Sequence, residues 1–395
     1  MNAHRNKLFI FAILIVIVAV SIILLNNKDN SDKVFYDSSG SGYNLVSQKD
    51  SNNNSISESR QTIITETVKK VSPAVVGINV TEIRQYRDPF GSFFDDPFFR
   101  QFFGNRGNYN QKVKGLGSGF IISPDGYIVT NDHVAGNATE ITVTLTNAKQ
   151  YPAKVVGTDA ASDICLLKVD ADDLPYEILG NSNNVMIGEW VIALGNPFGL
   201  FEINDKPTVT VGVISSTGMN LEPLDNRYYL NMLQTDAAIN GGNSGGPLVN
   251  SVGEVIGMNT LIYSPNGSGG NIGLSFAIPI DKIKRIITEL KQKGSIDRNF
   301  DVGFKIQSID EGIADYYKLP TSKGVIITYV ASGSSADKAG LKVGDIIQKV
   351  NEYQINNENT LISVFQEFRV GQTITLHIIR DDKLMEEKMT LDKKQ

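Results

Sequence analysis

The chain has 395 residues, 41% hydrophobic and 20% charged, which is ample for one large or two ordinary globular domains and excludes general disorder. A formal net charge of -6 without a dense basic patch argues against a nucleic-acid binder held by phosphate contacts. Cys165 is the single cysteine, so no intrachain disulfide forms, and no CxxC, HExxH or similar cluster supports a zinc site.

Residues 8–25, LFIFAILIVIVAVSIILL, form an apolar run of about the minimum length for a membrane-spanning helix. Arg5 and Lys7 precede it, which predicts a cytoplasmic tail over residues 1–7 and export of the remainder. A cleaved signal peptide is the competing reading, although the run is long for one and ends without a clear small-x-small site. Residues 26–60, rich in Ser, Asn, Asp and Lys, read as a disordered tether.

Over residues 61–295 short apolar runs follow one another, among them AVVGINV, GYIVT, EITVTL, DICLLKV, EWVIALG and TVTVGVISS, with Gly, Asn and Pro between them. Such a series predicts an all-β barrel or sandwich. A helix over 281–293 closes this body, with Asp281 as N-cap, Ile283, Ile286, Ile287 and Leu290 on one face, and Gly294 as the stop. Residues 299–395 have their own strands, GFKIQSI, GVIITYV, DIIQKV and TITLHIIR. With helices around 335–339 and 358–368, they read as a separate mixed α/β domain.

The stretch NGGNSGGPLVN, residues 240–250, sets Ser244 between glycine pairs. It is either a flexible loop or a nucleophile whose backbone folds tightly enough to aim N–H groups at a reacting oxygen. A serine nucleophile needs a base, usually histidine, and the chain has three. His4 precedes the apolar run and His377 lies in the alternating strand of the last domain, which leaves His133 at a strand end in YIVTNDHVAG. A carboxylate must hold the imidazole tautomer; Asp163 heads DICLLKV at a strand end, and Asp159, Asp170 and Asp132 compete with it.

The blocks GLGSGFIISPDGYIVTNDHV, SDICLLKV, ALGNPFGL, QTDAAINGGNSGGPLVN and NIGLSFAIP resemble, in order, the signature blocks of the HtrA family of serine proteases. The resemblance runs from about residue 63 to the C-terminus. It implies a mainly β fold, a chymotrypsin-like double β-barrel followed by a PDZ domain, with a triad of His133, Asp163 and Ser244. The backbone N–H groups of Gly242 and Ser244 would form the oxyanion hole, and Ile272 and Leu274 would line the pocket for the residue before the scissile bond. No cofactor, ATP or metal is implied. The implied partners are unfolded or partly folded proteins, the membrane through residues 8–25, and two further copies of the chain in a homotrimer.

In two places the sequence departs from the family pattern. Gly241 stands where proline is common, leaving the loop more backbone freedom, and Asp132 stands where asparagine is common, adding a negative charge beside the base. The Phe-rich insertion 88–104 resembles the family's long loop between the first strands, a place for regulatory or subunit packing, for membrane contact, or for mere disorder. In the last domain Val302, Gly303 and Phe304 match the loop with which PDZ domains hold a peptide's free C-terminal carboxylate, the peptide adding as a strand. Asp301 replaces the apolar residue expected beside that loop. Leu361, Ile362, Phe365 and Phe368 divide between core and groove.

Overall fold

The computed structural model describes residues 60–84, 111–202, 205–262 and 273–394. The apolar run 8–25, the stretch 26–59, the insertion 88–104 and Ile272 lie outside the described residues. Among the described residues no helix is long and apolar enough to cross a membrane. Residues 61–395 form one compact unit.

The unit opens with a helix that the strand pattern had hidden, α1 (Ile63–Val71), capped by reciprocal hydrogen bonds between Thr62 and Thr65. Ile64, Val68 and Val71 recur at helical spacing and pack into the main core. Six strands then close a barrel in the order β1-β2-β3-β6-β5-β4. They are β1 (Val75–Arg84), β2 (Gln111–Ile121), β3 (Tyr127–Thr130), β4 (Glu140–Leu145), β5 (Gln150–Asp159) and β6 (Ile164–Val169), with one helical turn, α2 (Asp132–Ala135), after β3.

The second sheet holds β7 (Ile178–Leu179), β8 (Trp190–Gly195), β9 (Thr208–Met219), β10 (Met232–Thr235), β11 (Pro247–Asn250), β12 (Glu254–Ile262) and β13 (Ser275–Pro279). Its order is β11-β8-β9-β10-β13-β12-β7, and β11 also pairs with β12, so six of the strands close a second barrel. Full closure leaves few free edges, and the inner faces of both barrels are filled with Val, Ile, Leu and Phe. The double barrel expected from the resemblance is the observed fold.

The following helix, α3 (Ile280–Lys293), begins one residue earlier than expected. Pro279 is its N-cap, and Asp281 in the first turn accepts hydrogen bonds from the Ser182 N–H at 2.8 Å and hydroxyl at 2.9 Å. Ile283, Ile286, Ile287 and Leu290 are buried in a core shared with residues of both barrels. Gly294 ends the helix in the left-handed region, at φ 74°.

The last domain is a sheet in the order β14-β15-β16-β18-β19, with β17 paired to β16. Its strands are β14 (Phe304–Ser308), β15 (Val325–Val330), β16 (Ile346–Val350), β17 (Tyr353–Gln354), β18 (Thr373–Arg380) and β19 (Lys383–Thr390). Three helices cover it: α4 (Glu311–Tyr316), which the sequence pattern did not show, α5 (Ser335–Lys338) and α6 (Glu358–Phe365). Leu361, Phe365 and Phe368 belong to the core, whereas Ile362 is exposed.

Charged side chains join this domain to the barrels. Glu367 takes Lys282 at 2.5 Å and Arg285 at 2.6 Å, and Arg369 meets Glu289 at 2.9 Å. Arg298 binds both carboxylate oxygens of Asp159, at 2.5 and 2.8 Å, and donates through Nε to the Gln366 carbonyl.

Candidate active site

The site forms where the two barrels meet, from turns that follow strands. After β3 the chain passes through Asn131 into α2, which holds Asp132 and His133. Between β5 and β6 a single 3-10 turn, Ala160–Ser162, ends on Asp163 in the left-handed region at φ 57°. Asp163 therefore sits at a cap just before the strand, and its carboxylate meets α2. Asp and Asn tolerate this backbone better than most side chains.

Asp163 is fully buried and its carboxylate is crowded with donors. The His133 Nδ1 lies 3.0 and 2.8 Å from its two oxygens, and the His133 backbone N–H donates to Oδ1 at 3.0 Å. Thr260 donates through its hydroxyl at 2.9 Å, Asn131 through Nδ2 at 3.2 Å, Tyr229 at 3.3 Å and Arg227 through Nε at 3.1 Å. Burial alone would push this carboxyl up, but His133 and Arg227 outweigh it and hold the group below the ordinary carboxylate range. An ionised Asp163 keeps the proton on His133 Nδ1, which leaves Nε2 as the basic nitrogen.

Ser244 comes in the loop before β11 and is largely buried. Its hydroxyl donates to the Thr260 carbonyl at 3.2 Å, so Thr260 touches both Ser244 and Asp163. The loop rests on β2: the Ser118 N–H donates to the Ser244 carbonyl at 2.9 Å, and the Ser118 hydroxyl donates to the Gly242 carbonyl at 2.5 Å. Gly245, at φ 85°, has no room for a Cβ, which would collide with the Ser118 carbonyl and the Thr130 hydroxyl. The amides of Asn243, Gly245 and Gly246 are bonded to Asn240, Asn259 and Asn243 carbonyls. Those of Gly242 and Ser244 donate to no acceptor among the described residues. Gly242 has φ 95°, a conformation that glycine adopts without strain.

Two of the three competing carboxylates have other partners, and Asp170 is exposed. Asp159 is held by Arg298, and Asp132 points at Arg227, 2.9 Å away. Cys165 is buried, with its thiol pushed up to about 12 by desolvation and by Asp132, so it is no alternative nucleophile. Arg227, Tyr229, Thr260 and Ser118 escaped the sequence reading because they act from three separate segments, the 224–229 hairpin, β12 and β2, each far from Asp163 along the chain. The one local signal was LDNR, a two-residue turn followed by an arginine. Of the two expected pocket residues, Leu274 is half-buried just before β13.

In the last domain Gly303 has φ 75°, and a Cβ there would collide with the Ser334 side chain. The Val302 and Gly303 carbonyls accept from Ala336 at 3.1 Å and Ala331 at 2.8 Å, which pins the loop ahead of β14. Asp301 does more than replace an apolar residue: its Oδ1 accepts the Gly303 N–H at 2.9 Å. β14 is an edge strand beside α6, and at its far end Glu358 accepts the Ser308 N–H at 2.8 Å.

A family model described as a trypsin-like peptidase domain matches residues 117–258, and one described as a PDZ domain matches residues 293–391. Fold and matches together define a trypsin-like peptidase body joined to a PDZ domain. A probable periplasmic serine endoprotease DegP-like from Chlamydia pneumoniae is 43% identical over 309 residues, covering 78% of this chain and 61% of its own length. Its counterpart from Marinomonas sp. is 40% identical over 342 residues, covering 83% and 71%. The solved structure of the HtrA-type protease AlgW with decapeptide matches with a TM-score of 0.63 at 31% identity, covering 85% of this chain and 99% of that one. The chain belongs to the HtrA family of serine proteases. It spans about three fifths of the length of the Chlamydia relative.

Proposed function

We propose that the protein is an ATP-independent serine endopeptidase of the bacterial cell envelope, with His133, Asp163 and Ser244 as its catalytic triad. Ser244 Oγ attacks the scissile carbonyl while His133 Nε2 takes the hydroxyl proton, and Asp163 holds the imidazole through Nδ1. The oxyanion of the tetrahedral intermediate is received by the Gly242 and Ser244 N–H groups. On collapse His133 returns its proton to the leaving amine, and water then releases the acyl group from Ser244 by the same steps. The observation that carries this reading is the buried Asp163 carboxylate 2.8 Å from His133 Nδ1, tied through Thr260 to the Ser244 loop.

Its substrates are unfolded or misfolded proteins, or a regulatory protein in an envelope stress response, cut after small or aliphatic residues in a pocket lined by Ile272 and Leu274. The loop at Val302, Gly303 and Phe304 receives free apolar C-termini of peptides, in keeping with the decapeptide of the AlgW structure. The chain works as a homotrimer, held to the membrane by residues 8–25 with the enzyme on the extracytoplasmic side. The periplasmic names of the relatives support that side.

Cleavage of casein tests the activity. Residues 61–395 should degrade unfolded casein, and both Ser244→Ala and His133→Ala should reduce cleavage to background. A folded Ser244→Ala variant that still cleaves would remove the proposal.

A further inference from the structure

We propose that Arg227 is a positioning residue for the His133–Asp163 pair and that Asp132 is its counter-charge, so that the three side chains together present a single negative charge to the imidazole. The inference rests on the triad reading above.

Arg227 is placed by its local sequence. Leu224 and Arg227 exchange two backbone hydrogen bonds, at 3.1 and 2.8 Å, around Asp225 and Asn226 at φ 50° and 60°. Positive φ at both central residues is the two-residue hairpin turn that Asp and Asn accept. The Tyr228 N–H then donates to the Ala161 carbonyl at 2.9 Å, which docks the hairpin on the turn carrying Asp163. From there Arg227 reaches Asp163 Oδ1 with Nε at 3.1 Å and Asp132 Oδ2 with Nη2 at 2.9 Å. The other Asp132 oxygen accepts the Thr158 hydroxyl. Arg227, Asp132 and Asp163 are 6%, 4% and 0% exposed, so solvent screens these charges little.

The charge balance explains why an aspartate can stand beside the base. Two carboxylates facing the imidazole would favour its charged form and withdraw the base from reaction at neutral pH. One guanidinium shared between them removes that excess. Among the described residues the other groups around the pair do not alter the count. Cys165 from β6 and Tyr229 from the hairpin are both raised by burial and stay neutral. Arg298 and Asp159 neutralise each other behind the 160–162 turn, Asp225 lies at the hairpin tip, and Asn131, Thr158 and Thr260 carry no charge. A buried ion pair of this kind is seldom retained for stability, since apolar replacements often serve as well.

The test is the pH dependence of kcat/KM for a reporter peptide, measured on the full chain with Arg227→Gln, Asp132→Asn, the double variant and Arg227→Lys. Arg227→Gln should move the acidic limb upward by about one pH unit, and Asp132→Asn should move it downward. The double variant, which leaves Asp163 as the single negative charge and so keeps the native count, should return the limb close to its native place. Arg227→Lys should keep the limb while lowering kcat, because an ammonium supplies the charge without the guanidinium fork. Thermal unfolding checks that each variant is folded; if Arg227→Gln is not, Asp132→Asn and the double variant decide. Unmoved limbs in the folded variants, with His133→Ala inactive, would overturn this inference and leave the triad standing. An active His133→Ala would overturn both.

Discussion

Replacing Glu177 by glutamine should stabilise the protein, and more so as the pH rises. Glu177 is 5% exposed, its backbone N–H donates to the Ile121 carbonyl at 2.9 Å, and its Oε1 has no hydrogen-bond partner among the described residues. Burial pushes its carboxyl from 4.5 up to about 8, with Lys70 pulling only partly against it. A carboxyl whose folded value is raised binds a proton on folding, so stability is fully retained below 4.5 and is lost as pH climbs towards about 8. At pH 7 the loss spans about 2.5 units, or about 3 to 4 kcal/mol at 1.4 kcal/mol per unit, rising to about 4 to 5 kcal/mol at pH 8. Glutamine keeps the shape without the charge. In a Ser244→Ala background, which removes the proposed nucleophile, the urea midpoint of residues 61–395 should rise on Glu177→Gln by about 1 M or more at pH 8 and by far less at pH 5. An equal gap between the two proteins at both pH values would show that Glu177 is ionised in the folded state and refute the reasoning.

Three further outcomes are expected. Ser244→Ala should lower peptide hydrolysis by at least about 10⁴-fold while leaving the unfolding temperature nearly unchanged, measured by steady-state kinetics and calorimetry. Glu367→Gln should destabilise the fold by about 3 kcal/mol in urea unfolding, because Lys282 is left buried without its counter-ion. Burial raises the Glu367 carboxyl but Lys282 and Arg285 hold it low, so the native pair's contribution is present above 4.5 and fades as pH falls below it, whereas the variant should lack that fading. Asp301→Ala should tighten binding of a peptide with a free apolar C-terminus several-fold in fluorescence polarisation, since the Gly303 N–H is released, and should leave the amidated peptide unaffected.

Much of this architecture could be read along the chain because it depends on short-range pattern. Alternating apolar residues marked most barrel strands, four isoleucine and leucine positions marked α3, and Gly294 marked its end, since each reflects a backbone period or a φ angle set by neighbouring residues. The ordered blocks around His133, Asp163 and Ser244 were legible for the same reason: strand, tight turn and glycine loop are local structures. Three helices escaped, α1 because threonines and lysines dilute its apolar stripe, and α2 and α4 because four and six residues scarcely establish a period. β19 also carried little signal, with most of its side chains exposed and half of them charged. The partners of the Asp163 carboxylate belong to a different class of fact. Asp132, Asp159 and Asp163 were equivalent as sequence, and their roles separated only when Arg227 arrived from a hairpin 64 positions away and Arg298 from the interdomain segment. Which of several acids faces a histidine is decided by the closure of two barrels against each other, because a buried charge is stable only where the fold delivers its donors.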